Sequence, residues 1–321
     1  MPVKRNHAPR HGGLSRRRFL AAGGAALGLS IVPRHVLGGP GNVPPSERVH
    51  LAGIGAGGQG GNDIAVHARN GANIVALCDV DQQRAAGSFD AFPKASRYKD
   101  FRVMLDKEAN RIDAVTVGTP DHIHAVASLA AIRAGKHVYC QKPLTHTLRE
   151  CRTLAEAARA AGLMTQMGNQ GHASEGARLT NEWIQAGLIG EVREVHVWSD
   201  RAGRWWKQGI VRPSDTPPVP KTLDWDLWLG PVRPRPYHPI YVPATWKGWW
   251  DFGSGALGDM GAHIIDHPVW ALGLGSPTVV EPPRPSTARC WTTTGGTSRP
   301  IPSRRSSPSS FPPAALSRPS R

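Results

Sequence analysis

Only four of the 321 residues are cysteine, and Cys78, Cys140, Cys151 and Cys290 form no C-x-x-C pair. Neither a disulfide framework nor a cysteine-built zinc site is suggested, and buried thiols are the expectation. No apolar run reaches the ~18 to 20 residues that a membrane span needs. Acid is missing from both ends: residues 1–40 hold seven Lys and Arg, residues 282–321 hold seven Arg, and neither stretch has an Asp or Glu. The formal charge of +15 comes almost wholly from there, because residues 41–281 carry 25 basic and 24 acidic side chains. A nearly neutral body lacks the basic patch that a phosphate backbone requires, so nucleic acid is not an expected partner.

What the ends contain is equally distinctive. Ser15-Arg16-Arg17-Arg18-Phe19-Leu20 precedes a small, Gly-containing apolar run from Ala21 to Val32 and then Pro33. A basic region followed by a weakly apolar stretch reads as an export signal over residues 1–40, and the adjacent arginines resemble the twin-arginine type. That implies the twin-arginine export machinery as a partner and a periplasmic or otherwise exported location. The route carries folded proteins, which suits a protein that binds a cofactor before export. Residues 282–321 contain nine Pro, nine Ser and seven Arg. Such a segment has too little apolar surface to offset its ordering entropy, so a disordered tail is expected. Its composition also resembles a GC-rich gene read in a shifted frame, which would mean truncation at the C-terminus.

Between the ends, apolar runs alternate with amphipathic stretches. Strands are expected at residues 49–55, 73–78, 114–118, 137–140, 163–167 and 192–198. Helices are expected at 62–69, 81–90, 100–107, 121–134, 147–160 and 175–186, and Thr147 with Glu150 makes a capping box for the helix that follows. The alternation predicts an α/β fold, with a parallel-sheet Rossmann domain over residues 41–165 and a second, α+β domain over 166–281. Ten of the eleven tryptophans lie between Trp183 and Trp270. Buried packing of an irregular segment is the expectation there, ahead of an aromatic platform for a sugar.

The first strand runs into Gly55-Ala56-Gly57-Gly58-Gln59-Gly60, which matches G-x-G-x-x-G, and a helix follows. Asp79 ends the second strand, 19 residues beyond Gly60. In this setting Gly55 permits a tight turn, Gly57 lets the backbone approach a pyrophosphate, and Gly60 allows close helix-to-strand packing; Gly58 and Gln59 complete the loop. The free N–H groups of the helix N-terminus attract the anion. Asp79 can accept hydrogen bonds from a ribose and repels a 2′-phosphate, which favours NAD, while nearby Arg84 leaves NADP open.

Three further pieces follow in order: Thr119-Pro120-Asp121-His122-Ile123-His124, Gln141-Lys142-Pro143, and Asp259-Met260-Gly261-Ala262-His263. Together with the glycine loop they resemble the Gfo/Idh/MocA family of oxidoreductases, specifically its exported members, from about Arg48 to about Pro277. The resemblance implies Lys142, Asp259 and His263 as the catalytic group. It implies that His263 takes a proton from a substrate hydroxyl as hydride leaves the same carbon for nicotinamide. Lys142 then stabilises the developing charge, and Asp259 holds the imidazole or a neighbouring hydroxyl. It also implies Thr119, Pro120, His124 and Lys142 beside the dinucleotide, and Asn169 and His172 in the substrate pocket. The implied substrate is a sugar or polyol. Two departures stand out. Gln141 occupies the place of the usual Glu, removing a charge beside Lys142. The strands that normally follow the D-x-x-x-H helix are replaced by the Pro/Ser/Arg tail, so the second sheet is expected to be incomplete and dimer formation through it weakened.

Three alternatives stay open on the sequence. One is redox-neutral, NAD-dependent glycoside cleavage, and another is an inactive nucleotide-binding product. The third takes Asp259, His263, Asp266 and His267 as zinc ligands, although no further shell of His or Cys is evident nearby.

Overall fold

Six short strands line up side by side in a computed structural model that describes Pro44 and residues 47–281. They are β1 (His50–Ile54), β2 (Asn73–Cys78), β3 (Ser96–Tyr98), β4 (Ala114–Val117), β5 (His137–Gln141) and β6 (Thr165–Gly168). All pairings are parallel, in the order β3-β2-β1-β4-β5-β6. The order reverses at β1 and β4, so the C-terminal ends of these two strands border a crevice, the place where open α/β sheets bind ligands. The helices between them are α1 (Gly58–Arg69), α2 (Ala86–Ala91), α3 (Phe101–Lys107), α4 (Asp121–Arg133) and α5 (Leu148–Ala161). The export signal and the Pro/Ser/Arg tail expected from the sequence lie outside the described residues.

The strands are continuous apolar runs because both faces of the sheet are covered. One face buries Val75, Val115, Val117 and Val138 with Met104, Ile132 and Leu154 from α3, α4 and α5. The other buries Leu51, Ile74 and Leu77 with Ile64 of α1 and Phe89 of α2. The capping box at Thr147 and Glu150 forms as expected, and α5 ends at Gly162 in the left-handed region (φ 64°). That cap takes up Leu163, whose N–H donates to Ala158 O, which delays β6 to Thr165 instead of 163. The helix expected at 81–90 begins only at Ala86, because Asp81 instead bridges Leu223 and accepts from the N–H groups of Gln83 and Arg84.

Beyond β6 come α6 (Glu175–Gln185), α7 (Trp225–Leu229), a 3-10 turn (Thr245–Gly248), α8 (Gly255–Ile264) and α9 (Asp266–Ala271). The strand expected at residues 192–198 does not form: the segment is irregular, and Val195, Val197 and Trp198 are exposed. Alternation says which face of a strand would be buried, but a strand also needs a neighbour to satisfy its backbone. No strand occurs among the described residues after β6. The tryptophan-rich stretch builds a core of its own, with Trp225, Trp228, Trp246 and Trp249 packed with Tyr237, Tyr241 and Phe252. This core grips the Rossmann domain directly, since His122 of α4 sits between Trp228 and Phe252 at 5.2 Å from each ring. Everything described through Gly275 forms one compact unit.

Candidate active site

A cavity of about 950 Å³ opens at the crevice between β1 and β4 and runs from the glycine loop to Lys142, Asp259 and His263. At its first end Gly55 has φ 81°, and its N–H donates to Cys78 O at 2.8 Å. A Cβ on Gly60 would overlap Gly55 O, and one on Gly55 would lie 2.7 Å from Gly118 C, so side chains are excluded where α1 packs on β1 and β4. Asp79 is 9% exposed. Its carboxylate accepts from Gly57 N at 3.0 Å and Asp81 N at 2.9 Å, tying the loop to the end of β2. Burial raises its pKa against those hydrogen bonds. Each oxygen keeps a second lone pair for a ribose hydroxyl. Arg84 lies across the loop and fills the space that a Cβ on Gly57 or Gly58 would take. The buried Thr119 Oγ1 at the cavity wall has no partner among the described residues. A glycine cradle bordered by the Arg84 side chain, a carboxylate with spare acceptor capacity and an unpartnered hydroxyl together fit a dinucleotide.

His124 does not belong to that set. It is 1% exposed, and its Nδ1 and Nε2 donate to Pro143 O at 2.7 Å and Thr119 O at 2.8 Å. Both ring nitrogens are spent on backbone carbonyls, so the expected cofactor contact is corrected: His124 joins the Thr119 loop to the Lys142 loop. Two carbonyl acceptors at such short distances suit the doubly protonated ring, which donates from both nitrogens. Burial opposes that charge, but the Cys140 sulfur, Asp121 and the Pro143 carbonyl outweigh it and hold the pKa up to about 9. His122 meets two carbonyls as well, Trp228 O at 3.0 Å and Phe252 O at 3.3 Å, but burial among aromatic rings outweighs them and pushes its pKa down to about 4, so the neutral ring donates to one of them only.

These two shifts act on stability with opposite sign. His124 is charged in the fold up to about pH 9 but in the unfolded state only to about 6.5, so its contribution is complete below 6.5 and lost as pH rises through 9. The contribution of His122 is complete above about 6.5 and lost as pH falls through 4. Melting temperature against pH should therefore peak near neutrality, and His124→Gln should flatten the alkaline limb alone. An alkaline limb unchanged in that variant would assign it to another group.

At the other end Lys142 Nζ donates to Asp259 O at 2.8 Å and Asp259 Oδ1 at 2.9 Å. Lys247 Nζ donates to the same Oδ1 at 2.5 Å, and Arg201 Nη1 lies 3.5 Å from Oδ2. Burial works against the Asp259 charge, yet Lys247 and Lys142 hold its carboxyl below the usual range. Burial also lowers the Lys142 pKa, with Asp259 opposing. The expectation that Asp259 orients His263 is corrected: its carboxylate serves these three cations. Instead His263 Nδ1 donates to Gln170 O at 3.1 Å, which leaves Nε2 as an acceptor with no partner among the described residues. Burial and the Lys142 charge keep the His263 pKa below its ordinary value, so the ring is neutral near pH 7. Asp266 turns to His172 at 2.6 Å, so the two carboxylates of the zinc alternative serve separate partners.

Asn169 and His172 do not line the cavity. Asn169 Nδ2 donates to Ala262 O at 2.8 Å, and His172 stacks on Trp270 at 4.7 Å. Both pin α8 and α9 to the end of β6. Gln170, between them, is the residue that reaches the cavity.

Gln141 also finds an explanation. Its Nε2 donates to Asp63 Oδ2 at 2.6 Å, and Gln59 Nε2 donates to Asp63 Oδ1 at 2.9 Å. The charge missing at 141 stands instead on α1, where burial raises the Asp63 pKa against both amides. The link ties the glycine-loop helix to the strand that carries Lys142.

Two family models match the sequence in succession. One, described as an oxidoreductase family with NAD-binding Rossmann fold, matches residues 49–169; the other, the C-terminal alpha/beta domain of an oxidoreductase family, matches residues 176–281. Inositol 2-dehydrogenase of Salmonella typhimurium is 30% identical over 151 residues, 46% of this chain and 42% of that protein. Levoglucosan dehydrogenase of Pseudarthrobacter phenanthrenivorans is 23% identical over 198 residues, 61% of this chain and 42% of that protein. A crystal structure of an inositol dehydrogenase homolog from Azotobacter vinelandii, complexed with NADH and myo-inositol, is 28% identical, covering 46% of this chain and 41% of that one with a TM-score of 0.41. The matched stretches span less than half the length of these relatives.

Proposed function

Because the protein belongs to the Gfo/Idh/MocA family of oxidoreductases, we propose that it oxidises or reduces a hydroxyl-bearing carbon of a sugar or polyol with NAD. The observation that carries this reading is the continuous cavity that joins the glycine loop to a neutral His263 whose Nε2 has no partner among the described residues. Gly55 to Gly60 and the α1 N-terminus would hold the pyrophosphate, Asp79 the adenosine ribose, and Thr119 and Pro120 the wall beside it. When bound, the dinucleotide supplies the hydride acceptor or donor.

The protein's own groups handle the proton and the charge. His263 Nε2 takes the proton of the substrate hydroxyl, and Gln170 O holds the tautomer that makes this possible. Lys142 donates to the same substrate oxygen and stabilises the negative charge that grows there; Asp259 keeps the ammonium in place. Relatives bearing the names inositol and levoglucosan dehydrogenase support a cyclic polyol or anhydrosugar as the substrate type. The test is NADH formation by the protein with NAD and a panel of cyclic polyols, anhydrosugars, sugar acids and sugar phosphates. NAD binding without turnover of any member would sink the reading. Delivery to the periplasm by the twin-arginine route is part of the same proposal, supported by Arg16-Arg17-Arg18-Phe19-Leu20.

Asp79 sets the cofactor preference. NAD should bind more tightly than NADP, and Asp79→Ala should narrow the gap, since a charged hydrogen bond to a ribose hydroxyl contributes about 1.5 to 3 kcal/mol. Titration of the unmutated protein showing equal or tighter NADP binding would overturn the assignment.

A further inference from the structure

Among the described residues, the catalytic end of the cavity holds more positive charge than its two carboxylates, Asp259 and Asp121, balance. Lys142, Lys247 and Arg201 all converge on Asp259, which is 2% exposed. The other acid close by, Asp121, accepts from Ser254 N–H at 3.1 Å and Oγ–H at 2.6 Å, and its charge faces both Lys142 and the protonated His124, so two carboxylates stand against four cations. The cavity's remaining carboxylates, Asp79, Asp81, Asp100 and Asp226, stand at the end of β2, at the start of α3, and on α7, whose leading segment bridges Asp81.

The two outer cations are not loose surface side chains. Arg201 Cζ lies 4.0 Å over the ring of Trp205, and Lys247 Nζ lies 4.6 Å from the ring of Trp246. All four of these side chains line the cavity, and the side chains of Arg201 and Lys247 are only 30% and 24% exposed. Aromatic rings therefore hold two partly dehydrated cations in the cavity lining beside Asp259. A partly buried cation without a full counter-charge is costly, and a guanidinium beside an ammonium is suited to a carboxylate or phosphate.

Resting on the oxidoreductase reading, we propose that the substrate is an anionic polyol, a sugar acid or sugar phosphate, whose charged group is received by Arg201 and Lys247 while its hydroxyl faces Lys142 and His263. The anion replaces water on the two outer cations, and the indole faces of Trp205 and Trp246 flank the carbon skeleton.

The test is titration of the protein, saturated with NAD so that the glycine loop is filled, with D-gluconate, D-glucose 6-phosphate and D-glucose, following tryptophan fluorescence. At least one anion should bind about tenfold or more tightly than D-glucose. The better of the two anions identifies carboxylate or phosphate as the group received. Lys247→Gln and Arg201→Gln should each erode the preference, while Lys247→Arg, which keeps the charge, should retain it. Equal affinity for all three probes, or a preference undiminished in both Gln variants, overturns the proposal. NADH formation is read separately. Equal kcat/KM for charged and neutral polyols removes the anion preference and leaves the oxidoreductase reading intact. Anion-selective binding with no NADH from any polyol supports the anion site and removes that reading instead.

Discussion

His263→Ala should lower turnover by about 10²- to 10⁴-fold, the usual cost of losing a general base, while NAD affinity stays close to that of the unmutated protein. The separation is expected because His263 meets the cavity at the end opposite Gly55 and Gly60, with its ring held by Gln170 O. Lys142→Met should behave alike in binding and lose turnover through the missing charge stabilisation. The pH profile adds a check on mechanism. The base form of His263 is the working one, and burial together with the Lys142 charge depresses its pKa. The acid limb of kcat/KM should therefore lie below the ordinary histidine value of about 6.5. Full activity in either variant, or an acid limb above that value, would show that another group moves the proton.

Asp259→Ala is expected to be the most destabilising single change in the site, costing about 3 kcal/mol, the lower end for removing one partner of a buried ion pair. Asp259 is the shared acceptor of Lys142 and Lys247, and the Lys142 side chain is only 10% exposed, so its ammonium would be left without a counter-charge. The lower end applies because Lys247 and Arg201 keep part of their hydration, their side chains being 24% and 30% exposed. Lys142→Met should cost much less, since Asp259 keeps Lys247. Urea unfolding of the two variants decides the matter, and equal losses would mean that the carboxylate is not the hub. In the unmutated protein the depressed Asp259 pKa makes its contribution complete above the ordinary aspartate value and lost as pH falls through the lower, folded one.

The Rossmann half was legible because its signals are local and repeated. Apolar runs for β1, β2, β4 and β5, the Thr147 capping box and the glycine loop each point to the same parallel sheet. The short β3, Ser96–Tyr98, carries too few residues for any period to show. After β6 the signals become long-range. Residues 192–198 have the alternation of a strand but no described neighbour to pair with. The tryptophan-rich core forms through contacts between Trp225 and Phe252 that follow neither the helical nor the strand period.

The site divides in the same way. Lys142, Asp259 and His263 meet at one cavity, as their motifs suggest. Lys247 and Arg201 carry no such signal, because a Lys between Trp246 and Gly248, or an Arg after Asp200, belongs to no motif. Only the fold brings them to Asp259. His124, Asn169 and His172 show the opposite error: polar residues in or beside the motifs invite the expectation that they face a ligand, and here they tie segments of the fold together.

The contact between Gln141 and Asp63 fixes an order on how this sequence could have changed. A carboxylate at 141 would face a second one across the 2.6 Å now spanned by an amide donor, and two such groups cannot both be ionised. Glu at 141 becomes acceptable only once position 63 has lost its acid, for example as Asn. Starting from the present pair, the path that alters α1 first leaves an amide facing an amide, a neutral step. The path that alters β5 first passes through a buried carboxylate pair. Gln141→Glu should therefore be tolerated far better together with Asp63→Asn than alone.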